Sequence, residues 1–283
     1  MFGKVTILSV FCITLGTGFF IVALWSVDDV TTIVPATLDA EAIDAGQVSA
    51  RSFVVFDVDT GTELASLNED EERPIASVTK LFSAATVLEQ GDMEATTSIT
   101  WSDVNTEGRA GKLQAYQEYS RRDLLWPLLL ESSNDAAAAL ERTEPELVIS
   151  MNRYASSAAA VHTRFNDASG LSSGNVSTAH ELAILARDLF FKAPHLFDIT
   201  RLPQYIGEQT GWINNNPFVS EPGYRGGKHG FTYEANRTGT LFFEEELATG
   251  QSRLIGYVLL GSDDLKQDVD LLRQQVREHV SVQ

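Results

Sequence analysis

The chain has 283 residues with 21 Lys and Arg against 39 Asp and Glu, a formal charge of −18. That length allows one large domain or two small ones, and 43% hydrophobic with 21% charged residues excludes wholesale disorder. So acidic a chain repels phosphate backbones, which argues against a nucleic-acid partner, and a single Cys excludes both a disulfide framework and a multi-cysteine zinc site.

Residues 1–27 stand apart. After Lys4 comes an uncharged run from Val5 to Val27, 23 residues rich in Val, Ile, Leu and Phe, with Trp25 near its end and Asp28 and Asp29 beyond it. About 20 apolar residues span a bilayer as a helix, against about 7–15 in the core of a signal peptide. The run is therefore predicted to be a transmembrane anchor or an uncleaved signal, with Lys4 cytoplasmic and the rest of the chain exported. Residues 28–47 carry five acids, no base and one Pro, and read as a solvated acidic linker.

The working domain is expected over 48–283. SFVVFDV, the turn Asp59-Thr60-Gly61-Thr62 and ELASLN predict a strand hairpin. Helical spacing follows over Ser77–Glu89, then over 121–131, 134–142, 146–160 and 178–192. Strands return near 223–232, at TLFFEEEL and at RLIGYVLLG, and 264–280 closes as an amphipathic helix. Glu244-Glu245-Glu246 reads as a strand edge or turn kept in water. The β–α–β order predicts one sheet built from both ends of the domain, with a helical insertion between them.

Three short segments carry chemistry. Ser77-Val78-Thr79-Lys80 is an S-x-x-K at a helix start, and one helical turn brings the Lys80 amine to the Ser77 hydroxyl. Serine is a poor nucleophile without an adjacent base, and lysine serves as that base only when burial or a second cation lowers its pKa. Ser132-Ser133-Asn134 places small polar groups between an apolar helix and an Ala-rich one, where capping of the next helix is the plainer explanation. Lys228-His229-Gly230 lies in a glycine-flanked strand that a substrate backbone can approach closely.

In that order the three segments match the S-x-x-K, S-x-N and K-[TS]-G set of penicillin-binding proteins and serine β-lactamases. The surrounding blocks ASVTKLFSAATVLE, TEGRAGKLQAYQEYSRRDLLWPLLLESSNDAAAAL, FNDASGLSSGNVSTAHELAILAR and GGKHGFTYEANR resemble, more narrowly, the low-molecular-weight D-alanyl-D-alanine carboxypeptidase and endopeptidase family. The resemblance covers roughly 50–272. It implies an α/β, β-lactamase/transpeptidase-like fold, an antiparallel sheet flanked by helices with a helical subdomain. It also implies a cofactor-free, metal-free serine peptidase at the cell membrane, acting outside the cytoplasm on peptidoglycan stem peptides and acylated by β-lactams.

The roles it implies are specific. Ser77 forms an acyl-enzyme with the penultimate D-alanine, Lys80 accepts its proton, and Ser132 relays a proton to the leaving nitrogen. Asn134 holds the substrate's amide, and Lys228 adds positive charge beside the substrate carboxylate. The Ser77 and Phe231 amides form the oxyanion hole, with His229, Gly230 and Thr232 completing the binding strand. Two positions depart from the family. His229 replaces the usual Thr, whose hydroxyl helps hold the carboxylate, and would make binding pH-dependent. The usual arginine before the last helix, which grips the same carboxylate, has no counterpart among Asp263, Asp264, Lys266 and Asp268, while Arg253 is assigned to its strand. These departures leave room for an endopeptidase that cuts cross-links, or for a weakly active muropeptide or β-lactam binding protein. A serine β-lactamase lacks its deacylating glutamate, because Glu144 follows Asn134 by only ten residues.

Overall fold

The structure, a computed structural model, describes residues 36–38, 45–108, 110–207 and 210–282. Strands from both ends of the domain build its main sheet. The N-terminal part gives β1 (Ser52–Asp57) and β2 (Glu63–Leu67). The C-terminal part gives β3 (Tyr224–Thr232), β4 (Asn236–Glu246) and β5 (Ser252–Ser262). Their order is β3–β4–β5–β1–β2, antiparallel throughout. All six residues of β1 are buried. It lies between β5 and β2 with both faces covered, which is why its sequence is a continuous apolar run and not an alternating one.

Apart from a single turn at Trp101–Val104, the helices are α1 (Thr79–Gln90), α2 (Arg121–Leu130), α3 (Asn134–Thr143), α4 (Leu147–Ser157), α5 (Ala179–Lys192), α6 (Pro194–Thr200) and α7 (Leu265–His279). α6 was not expected. Seven residues are too few to carry a periodic signal, although Pro194 at its first turn marks its start. Apolar positions of α1–α6 pack with Val54, Phe56, Phe242, Val258 and Leu260 in one core. Phe242 sits at its centre, with ring centroids 4.7 Å from Phe190, 5.1 Å from Phe197 and 6.2 Å from Phe56. On the opposite face Leu265, Val269, Leu272 and Val276 of α7 cover Phe53, Val55, Leu241, Phe243, Tyr257 and Leu259. The 4-3-4 spacing of those α7 residues is the stripe that its amphipathic sequence predicted.

Two readings change. Glu245 is not kept in water: it is 1% exposed, and its carboxylate accepts from Arg273 Nε at 2.6 Å. Strand alternation turns it inward between exposed-side neighbours, and a buried carboxylate is tolerated only when paired. Within the stretch read as linker, Ala36–Leu38 forms a strand antiparallel to Val280–Val282. The predicted membrane segment, 1–27, lies outside the described residues. Among the described residues no helix is long and apolar enough to cross a membrane.

Candidate active site

Ser77 lies in a single 3₁₀ turn, Ala76–Val78, that leads directly into α1. The approach to it is pinned from several sides. Arg73–Pro74 pairs with Val176–Ser177, the Ile75 amide donates to the Asn175 carbonyl at 3.0 Å, and Thr238 Oγ1 of β4 donates to the Ile75 carbonyl at 2.9 Å. Ala76 has φ +47°, a left-handed conformation costly for a residue with a Cβ. Two glycines make this possible. A Cβ on Gly170 would lie 2.0 Å from the Ala76 carbonyl oxygen, and one on Gly230 would lie 2.5 Å from the Ser77 amide nitrogen. The Ser77 backbone is thus held between a loop and strand β3, each closing on it through a glycine.

Lys80, one turn into α1, is completely buried. Its Nζ donates to Ser77 Oγ at 3.0 Å, to Asn134 Oδ1 at 2.7 Å and to the Ser169 carbonyl at 2.5 Å. Burial above all, and then the charge of Lys228, hold its pKa well below the ordinary lysine value, while Asp167 acts in the opposite sense. The amine is therefore poised to exist neutral, in hydrogen-bond reach of a hydroxyl whose proton it can take.

Asn134 opens α3 behind Ser133, whose hydroxyl caps the helix by accepting from the Ala136 amide at 3.0 Å. The capping explanation is thus correct for Ser133, while Asn134 is aimed at Lys80. The Asn134 Nδ2 donates to the carbonyls of Glu107 and Gly108 at 2.8 and 3.2 Å. Ser132, at the tip of the loop, is half-buried with φ +58°. Its hydroxyl has no hydrogen bond to any described residue.

On β3, Gly226 and Gly227 pack against α6, with the Gly227 amide donating to Thr200 Oγ1 at 3.0 Å. This fixes Lys228, which is buried and donates from Nζ to the His229 carbonyl at 2.6 Å. Burial brings its pKa down to about 7. Gly230 runs against Ser77, so the Ser77 amide and the Gly230–Phe231 segment come side by side, as an oxyanion hole requires. Phe231 is exposed beside Tyr233, and the Thr232 hydroxyl accepts from the Ala235 amide at 3.1 Å, within the turn into β4.

Burial, and next the Lys228 charge, pull the His229 pKa down to about 3, which favours the neutral imidazole. Its Nδ1 is buried with no hydrogen-bond partner among the described residues. Lys266 does not face the cleft as a free cation either: it is ion-paired with Glu221 at 3.0 Å and with Asp270 at 2.5 Å. Arg253 belongs to β5 and lies 3.6 Å from Asp57. Glu144 pairs with Arg121.

The sequence motifs did not reveal Asp167 or Glu131. Asp167 Oδ1 accepts from the Ser169 amide and hydroxyl and the Gly170 amide at 2.6–2.8 Å, and its Oδ2 accepts from the Ser172 amide at 2.7 Å. That shapes the loop whose Ser169 carbonyl meets Lys80. Glu131 accepts from Gly111 and Ile213 amides and from Lys112 Nζ, tying the S-x-N loop to both neighbouring segments. Both residues act on backbone groups, and only the Asp and Gly turn residues in FNDASGL hinted at one of them.

The family model described as D-alanyl-D-alanine carboxypeptidase matches residues 38–262. D-alanyl-D-alanine carboxypeptidase DacB2 of Mycobacterium tuberculosis is 30% identical over 240 residues, 79% of this chain and 80% of the relative. A D-alanyl-D-alanine endopeptidase of Haemophilus influenzae is 36% identical over 178 residues, 59% of this chain and 60% of the relative. Among solved structures, penicillin-binding protein D2 of Listeria monocytogenes in its cefotaxime-bound form is similar with a TM-score of 0.71 at 25% identity, over 81% of this chain and 96% of that one. The likeness covers the antiparallel sheet and the helices packed on it.

Proposed function

We infer the reaction from one premise, that this chain belongs to the D-alanyl-D-alanine carboxypeptidase family and is a serine hydrolase. We propose that it removes the terminal D-alanine from peptidoglycan stem peptides through an acyl-enzyme on Ser77. The observation that carries this is the 3.0 Å contact between Ser77 Oγ and the buried Lys80 amine. In the proposed cycle Ser77 Oγ attacks the carbonyl of the penultimate D-alanine while its proton passes to Lys80. The oxyanion is held by the Ser77 and Phe231 amides. The C–N bond then breaks, with Ser132 relaying a proton to the departing amine, and water hydrolyses the Ser77 ester to release the shortened peptide.

In this reading Asn134 holds both Lys80 and the substrate amide, and Lys228 lends positive charge beside the nucleophile. His229, Gly230 and Thr232 line the strand along which the peptide lies. β-Lactams acylate the same serine, as the drug-bound structural relative supports. The apolar run at 5–27 supports a single-pass anchor that places the domain outside the cytoplasm. Cross-link cleavage is a second reading, favoured by the endopeptidase relative at 36% identity. The chemistry is the same and only the leaving amine differs.

The test is intact mass after incubation with penicillin, beside Ser77→Ala, together with D-alanine release from a D-Ala-D-Ala peptide and from a dimeric cross-linked muropeptide. A lasting one-drug adduct on wild type alone, with D-alanine released, supports the carboxypeptidase. Preference for the dimer moves the reading to the endopeptidase, and rapid loss of the adduct to a β-lactamase. Absence of both adduct and product sinks the enzymatic reading and leaves a binding protein.

A further inference from the structure

A peptide ending in D-Ala-D-Ala carries a free carboxylate one residue beyond the carbonyl attacked by Ser77. One residue of extended chain is about 3.3–3.6 Å, so that carboxylate falls within a side chain's length of the strand bearing the Phe231 amide. Something cationic has to meet it there, because a chain of net charge −18 repels an anion at longer range. Lys228 supplies part of the attraction, but burial leaves it charged only in part near neutrality. Lys266 is held by Glu221 and Asp270, and Arg253 by Asp57.

One cation in this corner is differently placed. Arg237 stands on β4 directly opposite Phe231, and it is exposed. Its guanidinium lies 5.6 Å from the Phe231 ring centroid and donates one Nη1 bond, at 2.8 Å, to the backbone carbonyl of Asp263. The carboxylate of Asp263, the acid nearest in the chain to that contact, is turned onto Asn236 Nδ2 at 2.7 Å. Arg237 therefore has no ion pair with any described residue, while a ring and a carbonyl hold it in place. A guanidinium carries five N–H donors in a fixed fork, so most remain for an anion. Pairing and alternation put His229, Phe231 and Arg237 on one face of the sheet, and Gly239, opposite His229, adds no side chain there.

We propose that Arg237 is the specificity-determining residue that grips the substrate's terminal carboxylate, reaching from β4 to the corner where the stretch before α7 provides no free cation. The proposal rests on the D-Ala-D-Ala reading above, and its test separates the two. Arg237→Gln and wild type are compared on one peptide ending in D-Ala-D-Ala as the free acid and as the C-terminal amide. Acylation by penicillin and by its methyl ester is followed in parallel by intact mass. Losing a charge-assisted bidentate contact is expected to lower kcat/KM for the free acid, and the acylation rate by the free drug, about 10–100-fold. The amide and the ester should change by less than about threefold, since they retain every other contact. Lys266→Gln, already ion-paired away, should alter none of the four rates. Equal losses on free and capped partners, or no loss on either, would overturn the proposal even where Ser77-dependent acylation upholds the peptidase reading. If wild type reacts with none of the four, that reading itself fails and the assignment of Arg237 fails with it.

Discussion

The closest constraint on the Ser77 backbone is Gly230, and Gly230→Ala turns it into a measurable quantity. The new Cβ would stand 2.5 Å from the Ser77 amide nitrogen, 3.0 Å from the Ala76 Cβ and 3.1 Å from the Ser77 Cα. Ordinary contact begins near 3.4 Å, so the strand and the nucleophile must part by about 0.9 Å. All three obstructing atoms belong to backbone or to a Cβ, so no flexible side chain can swing aside. The displacement falls on the groups of the proposed oxyanion hole, where misplacement of about 1 Å costs on the order of 10²-fold in rate, or about 2.7 kcal/mol of transition-state stabilisation. Gly230 lies on an edge strand, so the sheet should survive. The assay is the second-order rate of penicillin acylation by intact mass, with thermal unfolding followed on the same samples. We expect acylation slowed about 10²-fold with a cooperative transition retained. A variant that acylates at the wild-type rate would refute the claim that β3 must touch Ser77 for the site to work.

Lys80→Met should abolish the base and lower acylation about 10²–10⁴-fold while raising the unfolding midpoint, because a fully buried lysine is exchanged for an apolar chain of similar size; a lowered midpoint would contradict this. Lys228 has a folded pKa of about 7 against an ordinary 10.5, so the unfolded chain binds more protons between those values and stability should rise with pH across that window. Lys228→Met should flatten that rise in urea unfolding compared at about pH 7 and pH 10. Asp167→Ala removes the charge that raises the Lys80 pKa, so the acid limb of the acylation profile should move to lower pH, with a rate loss of about tenfold as the Ser169 carbonyl loosens. An unmoved limb would deny that Asp167 acts on Lys80. Breaking the buried Arg273–Glu245 pair by Glu245→Leu should cost about 3–5 kcal/mol in denaturant unfolding, and the double variant with Arg273→Met should recover most of it, with penicillin acylation unchanged in both.

The order of elements was legible in the sequence because each reports itself locally. Period-2 and period-3.6 patterns marked the hairpin, the long helices and the closing strands, most within a residue or two of their observed ends, although the helix read over 146–160 stops at Ser157 and the strand read from Thr240 begins at Asn236. S-x-x-K was legible for the same reason, since three residues of helix fix the distance between two side chains whatever the remainder of the fold does. α6 escaped because about two turns give no reliable period, and Glu245 was misread because its partner is 28 residues away on another element. The i,i+4 spacing of Lys266 and Asp270 hinted at one of the ion pairs, but nothing local showed the second partner, Glu221, or that Arg237 has no ion pair with a described residue.

What the sequence alone determined is the order of the main elements, the Ser77–Lys80 pair and the family. These depend on neighbours along the chain, where covalent geometry limits the possibilities. The tertiary structure decided the state of those groups. It alone shows Lys80 sealed from water, His229 packed beside Lys228 where burial disfavours its charged form, Asp167 folding the loop that meets Lys80, and two glycines from distant segments closing on the Ser77 backbone. Burial and electrostatic field are sums over everything packed nearby. They exist only once segments far apart in the chain have been brought into contact.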